Sequence, residues 1–149
     1  AEVARIAGCH YPVVRSEKSF VDVVREVTNG EGCAVVYESI GKDTLQGSLD
    51  SLRPMGVCAA YGHVSGPPDP VDIIKDLGRR GSLFITRPAI MHYVAKCSDL
   101  ELTAQDLFKA IGDGILGSNI NYEYALKDAV KTHEAIVSGK TLGATVLVP

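Results

Sequence analysis

Three short apolar stretches in the middle of the chain each run into small or polar residues: Cys33-Ala34-Val35-Val36-Tyr37-Glu38-Ser39-Ile40-Gly41, Gly56-Val57-Cys58-Ala59-Ala60-Tyr61-Gly62-His63 and Gly81-Ser82-Leu83-Phe84-Ile85-Thr86-Arg87-Pro88. Each has strand length, and a helical pattern separates each from the next. That order, strand and helix in alternation, predicts βαβ crossovers and a parallel sheet. In an open α/β sheet ligands lie just outside the carboxyl ends of the strands, so these three ends form one wall of a crevice. Their glycines permit close backbone approach.

The flanking sequence fills in the elements. Val3, Ile6 and Ala7 before Gly8 mark a partial helix, so residues are expected upstream of Ala1. Tyr11 to Val14 reads as a short strand, and Phe20, Val23, Val24 and Val27 as a helix capped by Ser19 and stopped at Asn29-Gly30. The valine-rich stretch Cys33 to Ser39 is apolar on both faces, as befits a strand covered by helices on each side. Asp43 is placed to cap a helix carrying Leu45, Leu49 and Leu52, and Asp69 with Pro70 to open another over Val71 to Leu77.

Beyond Pro88, Ser98-x-x-Glu101 reads as a capping box for a helix with Leu100, Ala104, Leu107, Phe108 and Ile111 on one face. A second amphipathic helix carries Leu126, Ala129, Val130, His133, Ile136 and Val137 and stops at Gly139. His133, inside that stripe, reads as a packed, hydrogen-bonded core histidine. The terminal Ala144 to Pro149 is a strand that needs a sheet to join.

Composition narrows the function classes. With 149 residues, 46% of them hydrophobic, the chain can bury one core. A formal net charge of −3 and no run of basic residues leave no electrostatic footprint for nucleic acid. Lys75, Arg79 and Arg80 read as a solvated helix end. No apolar segment reaches the ~18 residues of a membrane span and no secretory signal is present, so a soluble, cytoplasmic protein is expected. Cys9, Cys33, Cys58 and Cys97 lack metal-ligand spacing, and Cys33 and Cys58 read as small core residues. Gly112-x-Gly114-x-x-Gly117 matches the dinucleotide fingerprint by letter only: it follows a helix, where the mechanism needs a strand, and so reads as a helix end and loop.

Several segments together carry a family resemblance: Val35 to Thr44, Ser48 to Gly56, Tyr61-Gly62, Gly81 to Pro88, Tyr124 to Ala129 and His133-Glu134 onward to the last residue. In order and over essentially the whole chain, they resemble the NADPH:quinone oxidoreductases, the zinc-independent, zeta-crystallin-like branch of the medium-chain dehydrogenase/reductase superfamily. The Gly-Ser-Leu-aromatic-x-Thr-Arg-Pro segment is the most specific piece. The resemblance implies an α/β fold: a partial Rossmann domain, a doubly wound parallel sheet lacking its first two strands, over residues 1–118. Residues 119–149 would be the strand-helix-strand that returns to a GroES-like catalytic domain. Without the first two strands, Tyr11 to Val14 loses its partner and Cys33 to Ser39 gains an open edge.

The same resemblance implies the cofactor contacts. Ile40 follows the strand-end serine, where a small apolar residue packs near the dinucleotide. Tyr61, Gly62 and His63 stand where the family has Phe-Gly-Asn beside the nicotinamide. Phe84, Ile85, Thr86 and Arg87 match the segment whose backbone holds the carboxamide. Arg15 replaces a tyrosine near the adenosine 2′-phosphate, which a guanidinium would fork, and Lys140 neighbours the position of a C-terminal arginine near the same phosphate. From pattern alone, Gly41 and Gly62 read equally as turn glycines, and Arg15 and Lys140 as surface charge. His63 is expected to face the crevice, where a neutral imidazole could contact the nicotinamide ribose or a substrate.

No residue is assigned a catalytic or metal-binding role. The implied function is hydride transfer from NADPH to quinones in a homodimer paired through the Leu83 to Thr86 edge. The alternatives are a sister enone or enoyl reductase and a non-catalytic NADPH-binding, crystallin-like protein. The 149-residue chain by itself is expected to be inactive.

Overall fold

A computed structural model describes residues 1–117, 120–139 and 141–149. The chain divides into two compact units, Ala1–His92 and Tyr93–Pro149.

The first unit is built on a parallel three-stranded sheet of order β1-β2-β3, with β1 at Cys33–Glu38, β2 at Leu52–Ala60 and β3 at Phe84–Thr86. Val35, Val57 and Phe84 stand in register, as do Tyr37, Ala59 and Thr86, so all three strands end on one side. The helix α3 (Leu45–Asp50) and a π-type turn (Ile73–Gly78) follow β1 and β2. Leu45, Leu49, Leu52, Cys58 and Leu83 form the core, flanked by Val36, Ala60, Val71, Leu77 and Ile85. The α2 helix (Phe20–Val27) reaches α3 where Gly47 leaves room: a Cβ there would meet the Phe20 ring at 2.7 Å.

Helices cover only one face of β1, contrary to the reading of a strand apolar on both sides. Val36 and Glu38 turn inward, while Val35 and Tyr37 are 44% and 76% exposed. Among the described residues no further strand pairs with either edge of this sheet. Tyr11 to Val14 is not a strand, because no neighbour supplies ladder bonds. It runs irregularly over an open cavity of about 440 Å³ lined in part by Val23 and Val27 of α2. The short α1 helix (Glu2–Ile6) ends before Gly8 at φ +93°. Ser19 caps α2, accepting the Asp22 amide at 3.4 Å, and Asn29-Gly30 stops it in the left-handed region.

Other capping expectations are corrected. Thr44 and not Asp43 precedes α3, and its hydroxyl turns elsewhere. Leu52 already belongs to β2. Asp72, three residues after Asp69, caps the π-type turn by accepting the Ile74 and Lys75 amides, each at 2.8 Å. Arg80 is no solvated helix end. Its guanidinium bonds Asp50 at 2.7 Å, Asp76 at 2.7 Å and Gln46 at 2.9 Å, tying α3 to the turn before β3. Of the two core cysteines expected, Cys58 is fully buried and Cys33 half-buried.

Between the units' main elements lies the short α4 helix (Ile90–Tyr93). In the second unit, α5 (Cys97–Gly112) opens at Lys96 without a side-chain cap, so Ser98 lies inside the helix and forms no capping box. Gly114, at φ +73°, ends it, placing the glycine triplet at a helix terminus as the sequence indicates. β4 (Ile120–Ala125) and β5 (Ala144–Val148) pair in parallel, which gives the terminal strand its sheet. A 3-10 turn (Leu126–Asp128) and α6 (Ala129–Val137) connect them. Thr132 is the buried residue of α6. His133 is exposed, as are Val130 and Val137, because the apolar stripe of this helix faces outward. None of the described helices is long and apolar enough to cross a membrane.

Burial predicts unequal mutational costs. Leu49→Ala, at a site 1% exposed, should lower the unfolding free energy by ~2–5 kcal/mol in urea titration. Val130→Ala, at a site 72% exposed, should change it by no more than ~0.5 kcal/mol.

Candidate functional site

The parallel register brings the three strand ends to one rim, where the backbone ties them together. The Tyr61 and Gly62 amides both donate to the Glu38 carbonyl, at 2.9 and 3.3 Å, and the Val64 amide donates to Ser39. Ser65 bonds the Ile40 carbonyl twice, through its amide and its hydroxyl, each at 2.8 Å. Its hydroxyl oxygen also accepts the Asp43 amide at 3.1 Å. The Lys42 amide reaches the Gly66 carbonyl at 3.1 Å. The loops after β1 and β2 are therefore cross-linked along their length.

Glycine is required twice at this seam. Gly41 has φ +95°, and a Cβ there would lie 2.6 Å from the Gly66 oxygen. A Cβ on Gly62 would overlap the Ser39 carbonyl.

Beneath the seam lies a carboxylate that sequence reasoning passed over. Glu38, the last residue of β1, is only 4% exposed. Its Oε1 accepts the Ile40 amide at 2.6 Å, the Gly41 amide at 3.0 Å and the Thr44 hydroxyl at 2.9 Å, and its Oε2 accepts the Ser48 hydroxyl. Burial works against ionisation here. The bonds from Ser48, Gly41, Ile40 and Thr44 outweigh it and hold the carboxyl below its ordinary range. Burial and the neighbouring Glu38 charge push the Cys58 thiol up to about 11, so this cysteine stays protonated and unreactive.

At the open side of the rim, Arg87 bridges two strands. Its Nη1 donates to the Ala60 carbonyl at 3.0 Å, and its Nη2 lies 3.4 Å from Nδ1 of His63. His63 is exposed, and its ring stands at the rim beside Arg87.

Ile40, Tyr61, Gly62, His63, Thr86 and Arg87 thus gather at one edge of the sheet. Phe84 and Ile85 lie one and two positions before Thr86 in β3; the Phe84 ring is 60% exposed and Ile85 packs against the core. Arg15 stands apart, in an exposed turn before α2, and takes part in none of the rim's bonds. Lys140 lies outside the described residues. Among the described residues no group of three or more His, Cys, Asp or Glu could hold a metal ion. The signal for Glu38 was available: an acidic residue ending an apolar strand, with Ser39, Gly41, Thr44 and Ser48 following within ten residues.

Two consequences are measurable. Gly62→Ala should destabilise the protein by ~1–3 kcal/mol, since the overlap with Ser39 must be relieved by parting the strand ends. The lowered carboxyl of Glu38 contributes stability that is complete above the unfolded-state value near 4.5 and is lost as pH falls through the folded-state value. Urea midpoints measured across that acidic range should fall in the wild type and flatten in Glu38→Gln.

Residues 1–99 match the family described as zinc-binding dehydrogenase. Over its full length the chain is 50% identical to a 2-haloacrylate reductase of a Burkholderia species and 37% identical to a quinone oxidoreductase of Salmonella typhimurium, covering 45% and 46% of those proteins. The chain thus spans about half the length of the curated relatives it matches. A crystal structure of 2-haloacrylate reductase superposes on 99% of this chain with TM-score 0.90 at 49% identity, over 46% of its own length. The Escherichia coli quinone oxidoreductase solved with NADPH superposes on all of it with TM-score 0.91 at 33% identity, again over 46% of its own length. The fold is thus shared with solved reductases, and the chain belongs to the zinc-binding dehydrogenase family, where it is similar to quinone oxidoreductases and 2-haloacrylate reductase.

Proposed function

We propose that the intact protein carrying this chain is a cytoplasmic NADPH-dependent oxidoreductase acting on quinones, and that the rim described above forms the nicotinamide side of its cofactor seat. The observation that carries this reading is the convergence of Ser39–Ile40, Tyr61–His63 and Thr86–Arg87 on one edge of a parallel sheet. Similarity to a quinone oxidoreductase solved with NADPH supports the choice of cofactor.

When bound, the dinucleotide supplies a hydride to an electron-poor acceptor. The chain's own residues bind and orient. Ile40 offers an apolar surface beside the ring, the half-exposed Tyr61 a second, and Gly62 keeps the backbone low between them. The exposed His63 ring would hydrogen-bond an oxygen of ribose or substrate. The segment Phe84 to Arg87 supplies backbone groups for the carboxamide. Arg15 and Lys140 are assigned to the adenosine 2′-phosphate, where a guanidinium forks two oxygens. In this reading residues 1–118 belong to the dinucleotide-binding domain, and residues 119–149 return to a substrate domain outside the chain. The open outer edge of β3 supports a homodimer joined antiparallel through Leu83 to Thr86.

A second reading is reduction of an electron-poor alkene, supported by the 50% identity to 2-haloacrylate reductase. NADPH consumption by the intact protein with 1,4-benzoquinone and with 2-chloroacrylate separates the two. Faster turnover of the quinone supports the first reading and faster turnover of the alkene selects the second. Absence of both turnover and NADPH binding overturns the proposal. Arg15→Glu should raise KM for NADPH about tenfold and leave KM for NADH unchanged, because only the former carries the phosphate that a guanidinium pairs.

A further inference from the structure

We infer that Glu38 is a positioning residue for the cofactor wall: its buried carboxylate fixes the backbone from Ile40 to Thr44, and through the Ser65 and Gly66 bonds fixes the loop that carries Tyr61, Gly62 and His63. The inference rests on the proposed function for the identity of the ligand.

Four donors from three successive places in the chain converge on this one side chain: the Ile40 and Gly41 amides, the Thr44 hydroxyl and the Ser48 hydroxyl. The first two belong to the loop itself, the third to the residue that precedes α3, and the fourth to the first turn of that helix. Glu38 therefore sets the angle at which the chain leaves β1 and enters α3. The carbonyl of the same residue accepts the Tyr61 and Gly62 amides, so side chain and main chain of Glu38 grip the two loops separately. Nothing in this arrangement points the carboxylate at a ligand, because both of its oxygens are consumed inside the protein. Its influence on binding is transmitted by Ile40 and by the Ser65 bridge to the Tyr61–His63 loop.

The other side of the contact explains why a carboxylate is needed. Two backbone amides and two hydroxyls are all donors, and a neutral amide side chain at position 38 would set an N–H₂ group against at least one of them. A buried donor left without an acceptor is costly, and the loop would rotate to hydrate it. Asp at this position keeps the charge but shortens the reach by one methylene. It is the conservative variant.

The test uses the intact protein. NADPH dissociation constants are measured by fluorescence or calorimetry, and KM for NADPH and kcat by steady-state kinetics, for wild type, Glu38→Gln, Glu38→Asp and Ser48→Ala, with thermal melts reporting folding. The expected result is a rise in Kd and KM for NADPH of about 10- to 100-fold in Glu38→Gln, the cost of misplacing a binding loop, with kcat at saturating NADPH within about threefold of wild type. Glu38→Asp should recover most of the affinity, and Ser48→Ala, which removes one donor of four, should fall between wild type and Glu38→Gln. Folded Glu38→Gln with wild-type Kd and KM overturns the inference, as does a fall in kcat with KM unchanged. Should Glu38→Gln fail to fold, Ser48→Ala decides: raised KM at unchanged kcat supports positioning, and unaltered kinetics overturn it. Wild-type protein that does not bind NADPH refutes the proposed function instead.

Discussion

A single ionised carboxylate, sunk beneath the carboxyl end of the sheet, organises the strand ends of the first unit. Burying a charge is expensive unless hydrogen bonds replace water. At Glu38 the replacement is complete on both oxygens, with amides and hydroxyls as donors. The price of this satisfaction is rigidity: the Ile40 and Gly41 amides can serve the carboxylate only if the chain turns at once, and Gly41 at φ +95° is where it turns. The turn then runs so close to the neighbouring loop that no side chain fits between them. One electrostatic requirement thus dictates a backbone shape, and the shape dictates the glycines.

The rim differs in kind from the rest of the chain. Its groups are polar and its contacts are mostly main chain to main chain, so its form depends little on which side chains line it. That separates scaffold from specificity. The side chains of Ile40, Tyr61 and His63 ride on the seam without building it, while Ile40 and Tyr61 join it through their main chain, with Glu38, Gly41, Gly62 and Ser65. Arg87 belongs to both groups. It ties the end of β3 to β2 through the Ala60 carbonyl and also stands against the His63 ring.

The sequence revealed the alternation of strands and helices, their parallel direction and the side of the sheet on which they end, because hydrophobic runs bounded by glycine report these directly. Capping was less legible. Asp43, Asp69 and Ser98 all look like N-caps, yet the helices begin near Thr44, Asp72 and Lys96, because pattern places a boundary only to within a few residues. Burial was least legible of all. His133 and the stripe around it read as core by periodicity, but periodicity says only that a face is apolar, not that this chain supplies what covers it. Glu38 is legible only through the glycine and hydroxyl residues that follow it, and Arg80 is not, because a basic residue at a helix end is usually solvated.

That last distinction bears on stability. Within each unit large apolar side chains stand exposed: Tyr37 and Phe84 on the open face of the first sheet, Leu100 and Phe108 on α5, Val130 and Val137 on α6. Surfaces of this kind are unfavourable in water at about 25 cal/mol per Å² and act as docking faces or as sources of aggregation. The rim escapes this dependence, since its bonds are satisfied within Ala1–His92. Cover over the apolar faces would therefore raise the stability of the whole chain while leaving the geometry of the strand ends as it is. The candidate seat is preorganised by Glu38, not by whatever packs against the back of the sheet.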